Sequence, residues 1–296
     1  MSSALRFGID LGGTKTEGII LDAAGEVRFR QRVPTDASSY DGVLEGILEL
    51  YRAMRRESNE ASHTLGIGTP GSVSKRSGLL KNSNTVCLNG MPVTEDLRRR
   101  LQHDFVLEND ANCFALAEAL HGAARGKRTV FGVIMGTGCG GGIVIGGAIH
   151  TGLQSIAGEW GHMAIDPNGP LCYCGQRGCV ETFISGSGLE RRHAERTGAK
   201  RSVPEIVDAY RKGEPGAVAL MGEFFAQFGR ALANVIAVVD PDIVVLGGGL
   251  SNMDELYTVG VAETARRVFS DVLETPIVRH TLGDSAGVIG AALVGR

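Results

Sequence analysis

The sequence predicts an α/β protein of two domains that share one plan, a duplication read from two stretches. LRFGIDLGGTKTEGIILDAAGEV runs strand, glycine turn, strand, and TVFGVIMGTGCGGGIVIGGAIH repeats that order well over a hundred residues later. Length agrees, since 296 residues exceed what one small core organises. The boundary is expected near residue 120. It gives a first domain over 1–119, with the tail helix 284–296 packing back on it, and a second over 120–283 that carries the loop 158–182. No low-complexity linker separates the two, so the junction reads as a hinge.

The remaining elements follow in order. Tyr40, Val43, Leu44, Ile47, Leu50, Tyr51 and Met54 recur at helical spacing and predict an amphipathic helix. HTLGIGTPG then reads as a strand. FVLENDANCFALAEALHGA reads as a short strand ending at Glu108, followed by a helix whose first turn holds Asn109 and Asp110. At that junction Asp110 is placed to take a proton from a substrate hydroxyl, although pattern alone favours a helix N-cap. Glu223 to Val239 predicts a long helix running into Pro241, DIVVLGGGLSN a strand ending in glycines, and GDSAGVIGAALVGR a turn and a small-residue helix.

Composition excludes several classes. A 43% hydrophobic and 21% charged chain is that of a soluble globular protein. A net charge of −3 without a dense Lys/Arg block gives no footprint for nucleic acid, and Arg98 to Arg100 read as a solvated helix face. MSSALRFGID has no charged segment followed by an apolar stretch, and the apolar run Ala231 to Leu246 is broken by Asp240, Pro241 and Asp242. A cytoplasmic protein without a membrane partner is expected.

Glycine gathers at strand ends, in DLGGTKT from Asp10, GTGCGGG from Gly136 and GGGLS from Gly247. Each cluster alone suits a plain hairpin turn as well as a phosphate site. Three of them, with Asp10, Thr14, Lys15, Thr16 and Thr137 alongside, point to a nucleotide, and Asp10 could hold Mg²⁺ through water. GTGCGG and GIGTPG match the dinucleotide fingerprint formally, but no helix follows either, and no GxxxxGK[ST] stretch occurs.

Three of the six cysteines fall between Cys172 and Cys179, downstream of His162. In a reducing compartment such a cluster binds metal more readily than it forms disulfides. His162, Cys172, Cys174 and Cys179 supply one imidazole and three thiolates, a complete structural zinc set; buried free thiols beside an unrelated histidine are the alternative. Cys87, Cys113 and Cys139 are scattered and read as packing residues. The metal would fix the loop presenting Glu159, His162 and Glu181, the first two sharing a face if the backbone is helical there.

Taken in order, DLGGTKT, GTPG, ENDAN, GTGCGGG, GEWGH with CYCGQRGCVE, and GGGLS resemble the ROK family of sugar kinases and repressors along nearly the whole chain. The GH…CxCGxxGCxE segment is the specific part, whereas DxGGTxT is shared with actin-like ATPases. The resemblance implies a duplicated ribonuclease-H-like fold of the actin and hexokinase type, with the active site in a cleft between domains. It implies that ATP phosphates meet Gly12, Gly13, Thr14 and Lys15 and also Gly136, Thr137 and Gly138, with adenosine near Gly247, Gly248 and Gly249. It makes Asp110 the general base. Asn84, Asn109, Asp110, Glu159, His162 and Glu181 would contact the sugar, His162 giving one ring nitrogen to zinc and its other side to substrate.

The family's repressors carry a helix-turn-helix ahead of DxGGTxT. Nine residues stand ahead of Asp10, so the kinase branch is expected. KNSNTVCLNGMP, CYCGQRGCVETFISG and GDSAGV are most similar to bacterial fructokinases of the mannokinase type, although Cys87 stands where those often have Trp. The activity expected is ATP- and Mg²⁺-dependent phosphorylation of the 6-hydroxyl of fructose. The alternatives are N-acetylglucosamine, N-acetylmannosamine or glucose as acceptor, or a non-catalytic sugar sensor. Members commonly form dimers, so a homodimer is expected.

Overall fold

The computed structural model describes residues 5–295. Its elements run β1 (Leu5–Leu11), β2 (Lys15–Leu21), β3 (Val27–Pro34), α1 (Tyr40–Glu57), β4 (His63–Thr69), β5 (Ser72–Val73), β6 (Leu80–Lys81), α2 (Val93–Leu101), β7 (Val106–Asn109) and α3 (Asp110–Leu120). There follow β8 (Thr129–Met135), β9 (Cys139–Ile145), β10 (Ala148–Ile149), α4 (Val180–Ile184), α5 (Gly186–Thr197), α6 (Val203–Arg211), α7 (Pro215–Val239), β11 (Ile243–Gly247), α8 (Val259–Ala265), β12 (Ile277–Arg279) and α9 (Ala286–Val294). Among the described residues no helix is long and apolar enough to cross a membrane. The chain divides into two units, residues 1–121, 148–157 and 282–296 in the first and 122–147 and 158–281 in the second. Residues 148–157, which the sequence leaves in the second domain, cluster with the first, where the Lys75 ammonium donates to the carbonyls of Gly152 (3.2 Å) and Leu153 (2.9 Å).

In the first unit the strand order is β3-β2-β1-β4-β7. β1, β2 and β3 pair antiparallel, and β4 and β7 add to β1 in parallel. Helix α1 begins where Ser39 accepts from the Gly42 amide, and it buries Val43, Leu44, Ile47, Leu48, Leu50, Tyr51 and Met54 against the sheet. Helix α9 is apolar all round and made largely of small residues, and it lies directly on strand backbone. Gly8 and Gly66 are paired across β1 and β4. A Cβ on Gly8 would come within 2.4 Å of the Val288 carbonyl oxygen, and one on Gly66 within 1.9 Å of that of Ala291. On the helix's other side a Cβ on Gly290 would meet the Cys113 carbonyl of α3 at 1.8 Å. Sheet, α9 and α3 therefore stack at backbone separation, a distance only glycine permits.

The second unit repeats the plan. β8 and β9 form an antiparallel hairpin, and β11 and β12 extend β8 in parallel, the counterparts of β1, β2, β4 and β7. The long helix α7 starts at Pro215, eight residues ahead of the expected Glu223, because Pro sets the first turn there, and it ends at Asp240 in the left-handed region. Arg98 to Arg100 are exposed on α2, as their pattern implied.

Gly66→Ala is expected to cost at least about 2 kcal/mol in urea unfolding, because the clash is with backbone that no rotamer change relieves. Gly46→Ala on α1, where a Cβ meets nothing within 4 Å, should instead stabilise by about 0.5–1 kcal/mol.

Candidate active site

Ligands of open α/β sheets sit beyond the carboxyl ends of parallel strands, and the expected residues of the first unit lie there. In register Asp10 pairs with Gly68, and Thr69 with Asn109. Asn109, not Asp110, caps α3: its side-chain oxygen accepts from the amides of Ala111 (2.9 Å) and Asn112 (3.2 Å), and its side-chain Nδ2 donates to the Gly71 carbonyl (3.2 Å). Asp110 is thus the first helical residue, set at the positive end of the helix dipole. The cap pattern was real but belonged to its neighbour. By its donor inventory Asn109 keeps one amide hydrogen beyond these bonds. Glu108 braces the cap, accepting from the Asn109 amide (2.9 Å) and the Asn112 side chain (2.9 Å).

Asp10 is raised from 3.8 to about 7, first by burial, then by the charges of Asp110 and Glu17, with Lys15 opposing. The start of α9 presses on it, since a Cβ at Gly287 would lie 2.5 Å from the Asp10 carboxylate. Glu17 faces Asp10 across the hairpin and is itself buried, held by the guanidinium groups of Arg30 and of Arg32 (2.8 Å). Asp10, in the field of two other carboxylates at a strand terminus, suits a hydrated divalent cation, which would hold it ionised.

The turn between β1 and β2 closes with the Gly12 amide donating to the Lys15 carbonyl (3.0 Å), and a Cβ on Gly12 would clash with that carbonyl. Gly13 differs. It has no left-handed φ, and a Cβ there would meet nothing nearer than the Thr85 hydroxyl at 4.0 Å. The same openness holds at Gly136 and Gly249, one glycine in each of the other two clusters. Neither crowding nor backbone angle requires glycine at these three positions; close approach of a ligand would. Beside the first hairpin, Asn84 is exposed in a loop fixed by Asn89, which exchanges two 2.8 Å hydrogen bonds with the Ser83 backbone. Cys87 packs against the first unit's core.

In the second unit the Gly136 to Gly138 turn joins β8 to β9, so the dinucleotide fingerprint lacks its helix, and Gly66 to Gly71 likewise leads into β5. Glu181, at the start of α4, accepts from the Cys139 amide (2.8 Å) and so touches this hairpin. Glu159 precedes a single 3₁₀ turn, Trp160–His162, that runs across β9. Trp160 anchors it, donating to the Gly140 carbonyl (3.0 Å) with its ring edge-on to Phe131. Gly248 reaches under the first strand, where a Cβ would lie 2.4 Å from the Met135 carbonyl. The unit therefore gathers Glu159, His162, Glu181, the second hairpin and the third glycine cluster at one end of its sheet.

His162, Cys172, Cys174 and Cys179 converge, with all four ligand atoms within 4.8 Å of one another. Cys174 and Cys179 sulfurs are 3.5 Å apart, and His162 Nδ1 is 3.6 Å from the Cys172 sulfur. A tetrahedral zinc with bonds of about 2.3 Å separates its sulfurs by about 3.8 Å, so the set fits that ion. Burial holds the Cys172 thiol above its ordinary range and, with its sulfur neighbours, pushes Cys179 up to about 12, a cost that a bound cation would remove. The sequence missed Tyr173, which sits between two of these cysteines. Its hydroxyl lies 3.0 Å from His162 Nε2 with the rings edge to face, so in this structure the ring nitrogen expected to face substrate meets a tyrosine.

Two α/β units of this shared topology form the duplicated ribonuclease-H-like fold of ATP-dependent sugar phosphotransferases. A model of the ROK family matches residues 6–296. The N-acetyl-D-glucosamine kinase of Haemophilus influenzae (strain 86-028NP) is 35% identical over 297 residues, 97% of each chain. Among solved structures, a ROK hexokinase from Thermus thermophilus superposes with a TM-score of 0.89 at 32% identity, over 98% of this chain and 97% of its own. A ROK family glucokinase from Streptomyces griseus, in complex with glucose and AMPPNP, gives 0.82 at 29% identity over 99% of both. The chain belongs to the ROK family, as a sugar kinase.

Two expectations follow from the site. Because the folded protein holds Asp10 near 7 against 3.8 ordinarily, its contribution to stability is most favourable when protonated and is lost as pH rises from about 4 through about 7. Without metal or nucleotide, Asp10→Asn should therefore melt above the wild type at pH 8, the gap closing by pH 4. For the cluster, elemental analysis is expected to find one zinc per chain, and Cys174→Ser to lose it together with thermal stability; a zinc-free protein of unchanged melting temperature would contradict the assignment.

Proposed function

We propose that the chain phosphorylates the 6-hydroxyl of N-acetyl-D-glucosamine with ATP. The observation carrying this is the 35% identity, across 97% of both chains, to the Haemophilus influenzae N-acetyl-D-glucosamine kinase. Fructose was the acceptor expected from the sequence, and the curated relatives favour the N-acetylated sugar over it. The glucokinase complex with glucose and AMPPNP supports ATP as the donor.

In this reading Asp110 takes the proton of the sugar's primary hydroxyl as that oxygen attacks the γ-phosphorus in line. Asp110 opens α3 behind an engaged cap, and one of its carboxylate oxygens accepts from the Ala111 amide (2.8 Å). Glu159 and Glu181 would hold other sugar hydroxyls, His162 would join them by exchanging the Tyr173 hydroxyl at Nε2 for one of the sugar's, and Asn84 and the remaining amide hydrogen of Asn109 would add to that grip. Amides of the Gly12–Lys15 and Gly136–Gly138 turns would meet the ATP phosphates, and Gly247 to Gly249 the adenosine. Mg²⁺, held through water by Asp10, would neutralise charge on the β- and γ-phosphates. The Cys₃His cluster would hold zinc and keep the Glu159–Glu181 loop in place, with no open position for catalysis.

A coupled ADP-release assay against N-acetylglucosamine, N-acetylmannosamine, glucose, mannose and fructose should show the highest kcat/KM on N-acetylglucosamine. Preference for fructose would return the acceptor to the sequence-based reading, and silence on all five would favour the sensor. Asp110→Asn is expected to lower turnover at least about a hundredfold with sugar affinity retained.

A further inference from the structure

Both glycine hairpins are held from outside their own motifs. Thr35, just beyond β3, binds the first at two points: its hydroxyl donates to the Gly12 carbonyl (2.8 Å), and its amide donates to the Thr14 carbonyl (3.0 Å). The Thr16 hydroxyl lies 2.8 Å from that of Thr35, and since the Thr35 hydrogen is committed to Gly12, Thr16 is the donor between them. Thr16 is buried, so this relay holds Thr35 in one rotamer. At the second hairpin the start of α5 does the same work. The Gly186 amide donates to the Gly136 carbonyl (2.7 Å), and the Ser187 hydroxyl (2.6 Å) and amide (3.3 Å) donate to that of Thr137.

The peptide group turns these bonds into a direction. In a trans peptide the carbonyl and the following N–H point to opposite sides. Binding the Gly12 and Thr14 carbonyls therefore turns the Gly13 and Lys15 amides the other way, and binding those of Gly136 and Thr137 does so for the Thr137 and Gly138 amides. We propose that Thr35 and Ser187 are positioning residues for phosphoryl transfer, which aim the hairpin amides at the ATP phosphates. This rests on the reading that those turns bind phosphate. Donors already oriented toward growing negative charge need no reorganisation during the reaction, and a turn free to rotate its peptides loses that benefit.

Steady-state kinetics on Thr35→Val, Thr35→Ser, Ser187→Ala and Gly13→Ala, with calorimetric ADP binding, test the idea. Thr35→Val keeps the side chain's shape and the amide bond but loses the hydroxyl. It should lower kcat/KM for ATP by about ten- to a hundredfold while leaving KM for the sugar unchanged. Thr35→Ser should restore most of the loss, and Ser187→Ala should cost only about threefold because its amide still binds Thr137. Wild-type ATP kinetics in Thr35→Val, or a Thr35→Ser enzyme as impaired as the valine, would overturn the proposal. Gly13→Ala, which the fold accommodates, tells the two levels apart. If it abolishes use of ATP while Thr35→Val does not, only the positioning role falls; if it too is silent, the phosphate reading of the hairpin falls with it.

Discussion

Where α9 crosses Gly8 and Gly66, helix backbone touches sheet backbone with no side chain between them. That contact sets the rest of the first unit. It brings the beginning of α9 against Asp10, and through Gly290 it fixes the height of α3, hence of Asp110 at that helix's first position. A methyl group on either strand would push the two carboxylates out of register. The second unit uses the same device, with a Cβ on Gly161 falling 1.9 Å from the Cys139 carbonyl, to lay the Glu159–His162 stretch on β9. Backbone contact transmits position more rigidly than side-chain packing, because there is no rotamer to adjust.

That rigid frame carries features that weaken it when nothing is bound. Asp10 is half-buried beside Asp110 and Glu17, and two thiols of the cysteine cluster are held away from the ionised form that metals take. Both costs would be offset by cations, one transient and one resident. Around the cysteines themselves the loop is thinly covered, with Leu171 and Tyr173 exposed, although Trp160 and Val180 are buried at its two ends. A metal is a reasonable substitute for a core there. Polar strain of this kind collects where chemistry is done.

Much of this could be read from the residues. Strand–turn–strand repeats, the α1 stripe and the cysteine spacing are local patterns, and local patterns set local geometry. The exchange of roles at Asn109 and Asp110 was not legible, because both residues cap helices well and only the backbone angles decide which does. Nor were Thr35 and Ser187, whose work depends on a carbonyl far away in sequence. A threonine after a strand and a serine opening a helix look like ordinary punctuation. Tyr173 was illegible for a related reason: CxC spacing specifies the two thiolates and nothing of the residue between them. The acceptor sugar was the least legible feature: sugars of similar size differ by single hydroxyl or acetamido groups, and those are sensed by side-chain placement that short motifs do not encode.

Chain order gives the first unit a peculiar assembly history. Its β-sheet is made early, but α9, the helix that covers Gly8 and Gly66, comes after the whole of the second unit. At ribosomal speeds of about 5–20 residues per second, roughly ten to forty seconds separate the completion of β7 from that of α9. The first sheet must wait through that interval with one face bare, while the second unit has everything it needs to fold. The nascent chain is thus most vulnerable to aggregation and to proteases at its amino-terminal half, and chaperone occupancy should concentrate there.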